Sequence, residues 1–319
     1  MNLTPDRTGD DKLTPDMRRF QQWLAAAYAQ HPPLNSVSLA EARQIVERVR
    51  APLTQGGPRM VRTEEVEIET PHGALRLRLY APTAALLQPA LVYLHGGGWV
   101  FFSIATHDRV MRELAARSGR VVVGVDYARA PEARYPVALE QATAAWHWVH
   151  AHAAAQGIDP ARIGLAGDSA GANLALAAAL VLRDAGERPD ALLLNYGVYC
   201  DDDSTDSFTL FDGADYNLGR DEMRSFWQHY LGDTDRRDDP LAMPLNADLR
   251  GLPPCCLVVP ECDVLRDDSL ALATRLQEAA VPVTLHCYPG AVHSFLEAVS
   301  FSDVAQRALA RSGAWLKGR

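Results

Sequence analysis

Apolar residues first recur at helical spacing, with Phe20, Trp23, Leu24 and Tyr28 forming one stripe. This pattern predicts a helix over about 15–30. Thr14-Pro15-Asp16 supplies its start: a cap residue, a proline at the first helical position and an acid in the first turn. Ser38-Leu39-Ala40-Glu41 reads as a capping box, and Ile45, Val46 and Val49 carry a second amphipathic pattern to about Arg50. The aromatic stripe is expected to pack as buried core, with lining of a pocket as the alternative.

At Val61 the period falls to two. Val66-Glu67-Ile68-Glu69, a Pro71-His72-Gly73 turn and Leu75-Arg76-Leu77-Arg78-Leu79-Tyr80 predict an antiparallel hairpin. Ala90–Leu94 is continuously apolar, as a strand buried on both faces should be, and Val121–Val125 and Ile163–Ala166 repeat that signature. Ala191–Tyr196, Cys256–Val259 and Val283–Tyr288 add three more strands. Helical stretches near 106–118, 137–156 and 302–317 alternate with them or follow them. That order predicts an α/β fold: a mostly parallel eight-stranded sheet covered by helices on both faces. Nearly sixty residues separate Tyr196 from Cys255, too many for an ordinary loop, so inserted structure with a helix near 221–231 is expected there.

Composition narrows the partners. Against 31 Lys and Arg stand 40 Asp and Glu, a formal charge of -9, and no basic stripe is available to neutralise phosphates. A nucleic-acid partner is therefore not expected. The five cysteines, Cys200, Cys255, Cys256, Cys262 and Cys287, are odd in number and lack metal-site spacing. Reduced thiols in a cytoplasmic protein fit them. Met1–Arg7 lacks the apolar core of a leader, and no run is long enough for a membrane span. The acidic triplet Asp201-Asp202-Asp203 reads as solvated loop rather than a metal site, because no spaced oxygen ligands surround it.

The chemistry centres on Gly167-Asp168-Ser169-Ala170-Gly171, set between an apolar run and an Ala/Leu-rich helical stretch. Strand, tight turn and helix in that order make a nucleophile elbow, which lifts a serine hydroxyl off the sheet. Serine attacks only when a base takes its proton, and the base needs an acid behind it. In α/β sheets such groups gather beyond the carboxyl ends of strands, where Asp263 and His293 fall. Asp263 is preferred over Glu261 and Asp267 as the acid. Asp168 reads as structural, pointing away from the reacting groups. His147, His150 and His152 read as a solvated helix face, and His286 as a packed or surface strand residue. His95-Gly96-Gly97-Gly98-Trp99 follows the first parallel strand, and its glycines let backbone amides face a developing oxyanion. Gly97, Gly98 and the amide of Ala170 are assigned as that oxyanion hole, with His95 fixing the loop.

These motifs, together with Asp126-Tyr127-Ala128-Arg129-Ala130-Pro131-Glu132, Asp263–Asp268 and His293-Ser294-Phe295, resemble the hormone-sensitive-lipase-like group of α/β hydrolases from about Leu91 to Leu296. The resemblance implies Ser169 as nucleophile, Asp263 as orienting acid and His293 as base. It also implies a helical cap: an N-terminal segment over 1–55, and an insertion at about 200–240 within a catalytic domain over 56–319. One departure is Val264, where the group usually has proline after the aspartate. The expected activity is hydrolysis of short-chain acyl (acetyl-type) carboxylic esters through an acyl-enzyme, with a small-molecule ester as partner and no cofactor or metal. The alternatives are a non-catalytic small-molecule receptor on the same scaffold, or the same chemistry on acetylated sugars, lactones or amides. The group's hormone receptors lack the catalytic histidine, whereas His293 is present here. A homodimer through the edge strand near Val283 or the cap helices stays open.

Overall fold

The six strands after the hairpin pair in parallel, and the hairpin extends them antiparallel, in a computed structural model that describes residues 12–233 and 236–319. Met1–Arg7, read above as no leader, lies outside the described residues. The strands are β1 (Arg62–Thr70), β2 (Gly73–Ala81), β3 (Gln88–Leu94), β4 (Val121–Val125), β5 (Ile158–Asp168), β6 (Leu192–Asn195), β7 (Cys255–Cys262) and β8 (Val283–Val292), in sheet order 1-2-4-3-5-6-7-8. Burial follows the sequence pattern. Every residue of β4 and β6 is buried, whereas β1, at the sheet edge, is largely exposed or half-exposed.

Helices α1 (Pro15–Tyr28) and α2 (Leu39–Arg50) precede the sheet. The rest alternate with strands or follow them: α3 (Asp108–Ser118), α4 (Val137–Ala151), α5 (Ala153–Gln156), α6 (Ala170–Asp184), α7 (Asp206–Phe211), α8 (Arg220–Leu231), α9 (Arg266–Glu278) and α10 (Asp303–Lys317). The path runs from β3 outward to β4 and then back across β3 to β5. With right-handed crossovers, that reversal places α3 on one face and α4, α6 and α9 on the other. Accordingly α3 packs on α10, and α4 on α6. The reversal also opens a crevice where the loops after β3 and β5 diverge, the usual position for a site in such a sheet.

Local signals acted as expected, with two refinements. Ser38 accepts a hydrogen bond from the Glu41 amide and caps α2. Thr14 holds the cap position of α1 but gives its hydroxyl proton to Asp16 Oδ1 at 2.5 Å instead of accepting from the helix. Asp16 Oδ2 in turn accepts from Ser302 Oγ at 2.7 Å, pinning α1 to the start of α10. The acidic triplet is not simply solvated loop: Asp201 pairs with Arg237, and Asp203 with Arg224 and Arg220. The segment between β6 and β7 holds α7 as well as the expected α8. No described helix is long and apolar enough to cross a membrane.

Candidate active site

Ser169 sits between the last residue of β5 and the first of α6, at φ 53° and ψ −122°. Positive φ is strained for a side chain with a Cβ, so the surroundings must enforce it. They do so by crowding. A Cβ on Gly171 would lie 2.0 Å from the Leu94 carbonyl oxygen, and one on Gly167 would lie 2.2 Å from the carbonyl of Gly171. Strand and helix therefore approach closely only because both positions are glycine. The Ser169 amide donates to the Asn195 carbonyl at 2.9 Å, and Asn195 Nδ2 to the Gly167 carbonyl at 3.0 Å, so β6 straps the turn from outside.

His293 follows β8, and Asp263 follows β7. His293 Nε2 lies 3.0 Å from Ser169 Oγ, and His293 Nδ1 lies 2.7 Å from Asp263 Oδ2. Asp263 is fully buried, and its other oxygen accepts the Leu265 amide at 2.9 Å. Burial pulls the His293 pKa down, but the Asp263 carboxylate more than offsets it, so the imidazole is raised above its ordinary value. Hydroxyl, imidazole and carboxylate in that sequence can take the serine proton and hold the resulting imidazolium.

The rival acids are occupied elsewhere. Glu261 accepts the Gly290 amide at 2.8 Å and closes the bend in β8, while Asp267 accepts the Ser207 amide and pairs with Arg266. Val264, the departure after the aspartate, is buried, and its carbonyl accepts the Ser207 hydroxyl. His147 pairs with Glu187 on the exposed face of α4, His150 stacks on Trp146 and His152 bonds the Trp148 carbonyl. His286 is half-buried within β8.

Gly97 and Gly98 adopt φ 109° and 60° just beyond β3. A Cβ on Gly97 would lie 2.3 Å from the Phe101 carbonyl oxygen, and one on Gly98 would lie 2.3 Å from the Phe226 ring. Ala170 places its amide at the first turn of α6, where helix N–H groups point outward unpaired. His95 donates from Nδ1 to the Gly96 carbonyl at 2.7 Å and stacks on Tyr127, whose hydroxyl donates to the His95 carbonyl. The Asp-Tyr motif thus braces the glycine loop.

Asp168 does more than point away from the reacting groups. Its carboxylate accepts from the Tyr93 hydroxyl at 2.7 Å and the Gly96 amide at 3.0 Å, joining the serine turn to the glycine loop. Tyr196, at φ 38°, sets its ring edge-on to His293 with centroids 5.1 Å apart, and Asn217 Nδ2 donates to the His293 carbonyl at 3.1 Å. Sequence reasoning missed both. The only local sign of Tyr196 was its place at a strand end, and nothing near Asn217 marked it.

A cavity of about 630 Å³ opens over Ser169 and His293. Its walls come from α1 and α2 (Leu24, Tyr28, Val46), the glycine loop (Phe101, Phe102) and the insertion (Leu218, Phe226). This corrects the expectation for the aromatic stripe. Phe20 is buried packing, but the far end of α1 lines the cavity. The insertion docks on the glycine loop through Trp99, whose ring stacks on Tyr230 at 4.2 Å. No group of acidic, histidine or cysteine side chains placed to hold a metal occurs among the described residues.

Comparison with known proteins supports the same reading. The sequence profile of the alpha/beta hydrolase fold family matches residues 91–297. An acetyl esterase of Salmonella agona is 41% identical over 251 residues, 77% of each chain. A hyperthermophilic esterase from the archaeon Pyrobaculum calidifontis superposes with a TM-score of 0.90 at 33% identity, over 96% of this chain and 98% of that one. A thermophilic carboxylesterase cloned from a metagenomic library gives a TM-score of 0.86 at 37% identity, over 89% and 98%.

Proposed function

The chain belongs to the alpha/beta hydrolase fold family and is a serine ester hydrolase; on that premise we propose that Ser169 is the nucleophile, His293 the general base and Asp263 its orienting acid, acting on short-chain acyl esters. The observation that carries this is the unbroken line Ser169 Oγ, His293, Asp263 at 3.0 and 2.7 Å. Ser169 Oγ bonds the ester carbonyl carbon as its proton passes to His293 Nε2. The carbonyl oxygen takes the negative charge and faces the amides of Gly97, Gly98 and Ala170. Collapse breaks the bond to the alcohol, which leaves with the proton from His293. Water then attacks the acyl-serine, gives its proton to the same imidazole, and the acid is released as Ser169 recovers its own. No metal or organic cofactor enters these steps.

The segment 1–55 and the insertion at about 200–240 are read as the cap over this chemistry. Their contributions to the cavity wall support that reading, as does the bond from Gln21 Nε2 on α1 to the Asp215 carbonyl of the insertion at 2.7 Å. A short acyl group is favoured by the Phe226 ring, which stands over Gly98 and bounds the cavity on the side of the amide donors. A pocket built for long chains gains about 0.8 kcal/mol per buried methylene. The expected result is therefore that kcat/KM for p-nitrophenyl esters peaks at acetate to butyrate and falls toward decanoate; a steady rise to decanoate contradicts it. A receptor without turnover is not favoured, since the hydroxyl, base and acid are all present. Five cysteines without disulfides fit the cytoplasm. The position of β8 at the end of the sheet, with Leu285 exposed, supports a homodimer, which light scattering would read as twice the chain mass.

A further inference from the structure

We propose that His107 is a standing imidazolium that neutralises Asp168 and, through it, holds the glycine loop against the serine turn, making His107 a positioning residue for the hydrolytic site. The residue precedes α3, and both it and Asp168 are buried. Its charge follows from hydrogen-bond accounting.

Among the described residues Asp168 meets only donors: Tyr93 Oη and the Gly96 amide at Oδ1, and His107 Nε2 at Oδ2, 3.2 Å away. Such a carboxyl is ionised, and an ionised carboxylate only accepts, so His107 Nε2 carries a proton. His107 Nδ1 lies 3.0 Å from Thr106 Oγ1. That hydroxyl gives its own proton to the Ser103 carbonyl at 2.9 Å and accepts the Ser103 amide at 3.1 Å. With that proton on the Ser103 carbonyl its remaining capacity is one lone pair, which a protonated Nδ1 fills; the carboxylate at Nε2 favours this doubly protonated ring over the arrangement in which the hydroxyl turns its proton to Nδ1. Two protonated nitrogens make a cation.

The neighbouring charges agree. His95, with its ring 5.7 Å away, gives its one proton from Nδ1 to the Gly96 carbonyl, and burial together with the charge on His107 pushes its pKa down to about 4. Two buried imidazoles therefore share one charge, placed on His107 by the carboxylate. Burial alone would lower the His107 pKa, but Asp168 raises it. The other groups facing His107 are Arg50 of α2 and Glu297 beyond His293, which pair with each other at 2.9 Å and so largely offset, and the neutral Tyr93 of β3. A helix N-terminus disfavours a cation, and here the direct carboxylate outweighs it.

The consequence reaches the chemistry. Asp168 adjoins Ser169, and an uncompensated charge there opposes an oxyanion at Gly97 and Gly98. It also favours the protonated form of His293, which already faces Asp263 and Glu297 and, from α8, Glu222.

The proposal rests on Ser169 and His293 being the reacting pair, but its first test needs no turnover. In ¹⁵N-histidine-labelled resting protein, the His107 imidazole should keep both ring nitrogens protonated at pH 7, and that signal should vanish in His107→Gln. A neutral His107 at pH 7 overturns the proposal. His107→Gln keeps an N–H donor for Asp168 without the charge. For p-nitrophenyl acetate its kcat should fall about tenfold, with KM little changed. The acid limb of kcat/KM should move up by roughly half a pH unit. An unmoved limb with unchanged kcat overturns the proposal. If this variant does not fold, Thr106→Val, which leaves Nδ1–H without an acceptor, should make the same imidazole titrate at lower pH, and an unchanged titration overturns the proposal.

Discussion

Replacing Ser169 with alanine should lower kcat for p-nitrophenyl acetate by about 10⁴-fold or more, with the fold intact. The substitution removes one oxygen. Alanine meets the same strained φ of 53° that serine does, and the backbone bonds from residue 169 to Asn195 and around Gly167 remain. What disappears is the atom 3.0 Å from His293 Nε2, and with it the covalent route. The residual rate should reflect only the amide donors and the imidazole acting on water. Steady-state assays with circular dichroism and a melting curve check both halves. Retained turnover in a folded variant rules out the assignment.

Asp263→Asn should be nearly as damaging, about 10⁴-fold in kcat, although it changes neither size nor packing. Asp263 Oδ2 accepts from His293 Nδ1 at 2.7 Å and Oδ1 accepts the Leu265 amide at 2.9 Å, so both oxygens are committed. An asparagine keeps one acceptor and turns the other position into a donor. If its oxygen serves the Leu265 amide, its NH₂ faces His293 Nδ1 and selects the tautomer with a proton on Nε2, which cannot accept from Ser169. The carboxylate is also what raises His293, so its loss removes the charge that holds the imidazolium during attack. For the intact enzyme the sign is fixed: the base works when unprotonated, so activity falls as pH drops through a His293 pKa raised above the ordinary 6.5. Glu261→Gln is the control, since Glu261 accepts the Gly290 amide and glutamine keeps an acceptor oxygen there, and its activity should stay within a few-fold. A larger loss in Glu261→Gln than in Asp263→Asn would exchange the two assignments.

Much of this was legible in the chain because it is local. Strand burial wrote itself as continuous apolar runs at Val121–Val125 and Leu192–Leu194. The serine turn showed itself through glycines that only a tight strand-to-helix approach requires, and the order of Ser169, Asp263 and His293 followed strand ends. What stayed hidden depends on chain segments distant in sequence. Asp168 reads as structural, but nothing near it announces that Tyr93, Gly96 and His107 converge on its carboxylate from β3, the glycine loop and the start of α3. Asn217 sits in an irregular stretch, and its bond to the His293 carbonyl crosses 76 residues. The stripe of α1 was readable as apolar, but periodicity gives a face and not what covers it. Phe20 meets Phe301, while Tyr28 meets the cavity. The arginines that neutralise Asp201 and Asp203 likewise come from later in the insertion.

The proposed chemistry depends on a hydroxyl at residue 169 made nucleophilic by the imidazole at 293. Incubation with diethyl p-nitrophenyl phosphate, followed by mass spectrometry of the peptides, reads this directly, because the phosphoryl group is taken up only by an activated oxygen. One diethylphosphoryl group per chain is expected, on Ser169, with p-nitrophenolate released in equal amount and esterase activity lost in step. An unmodified Ser169 in protein that still hydrolyses esters, or stoichiometric label on another residue, would contradict it.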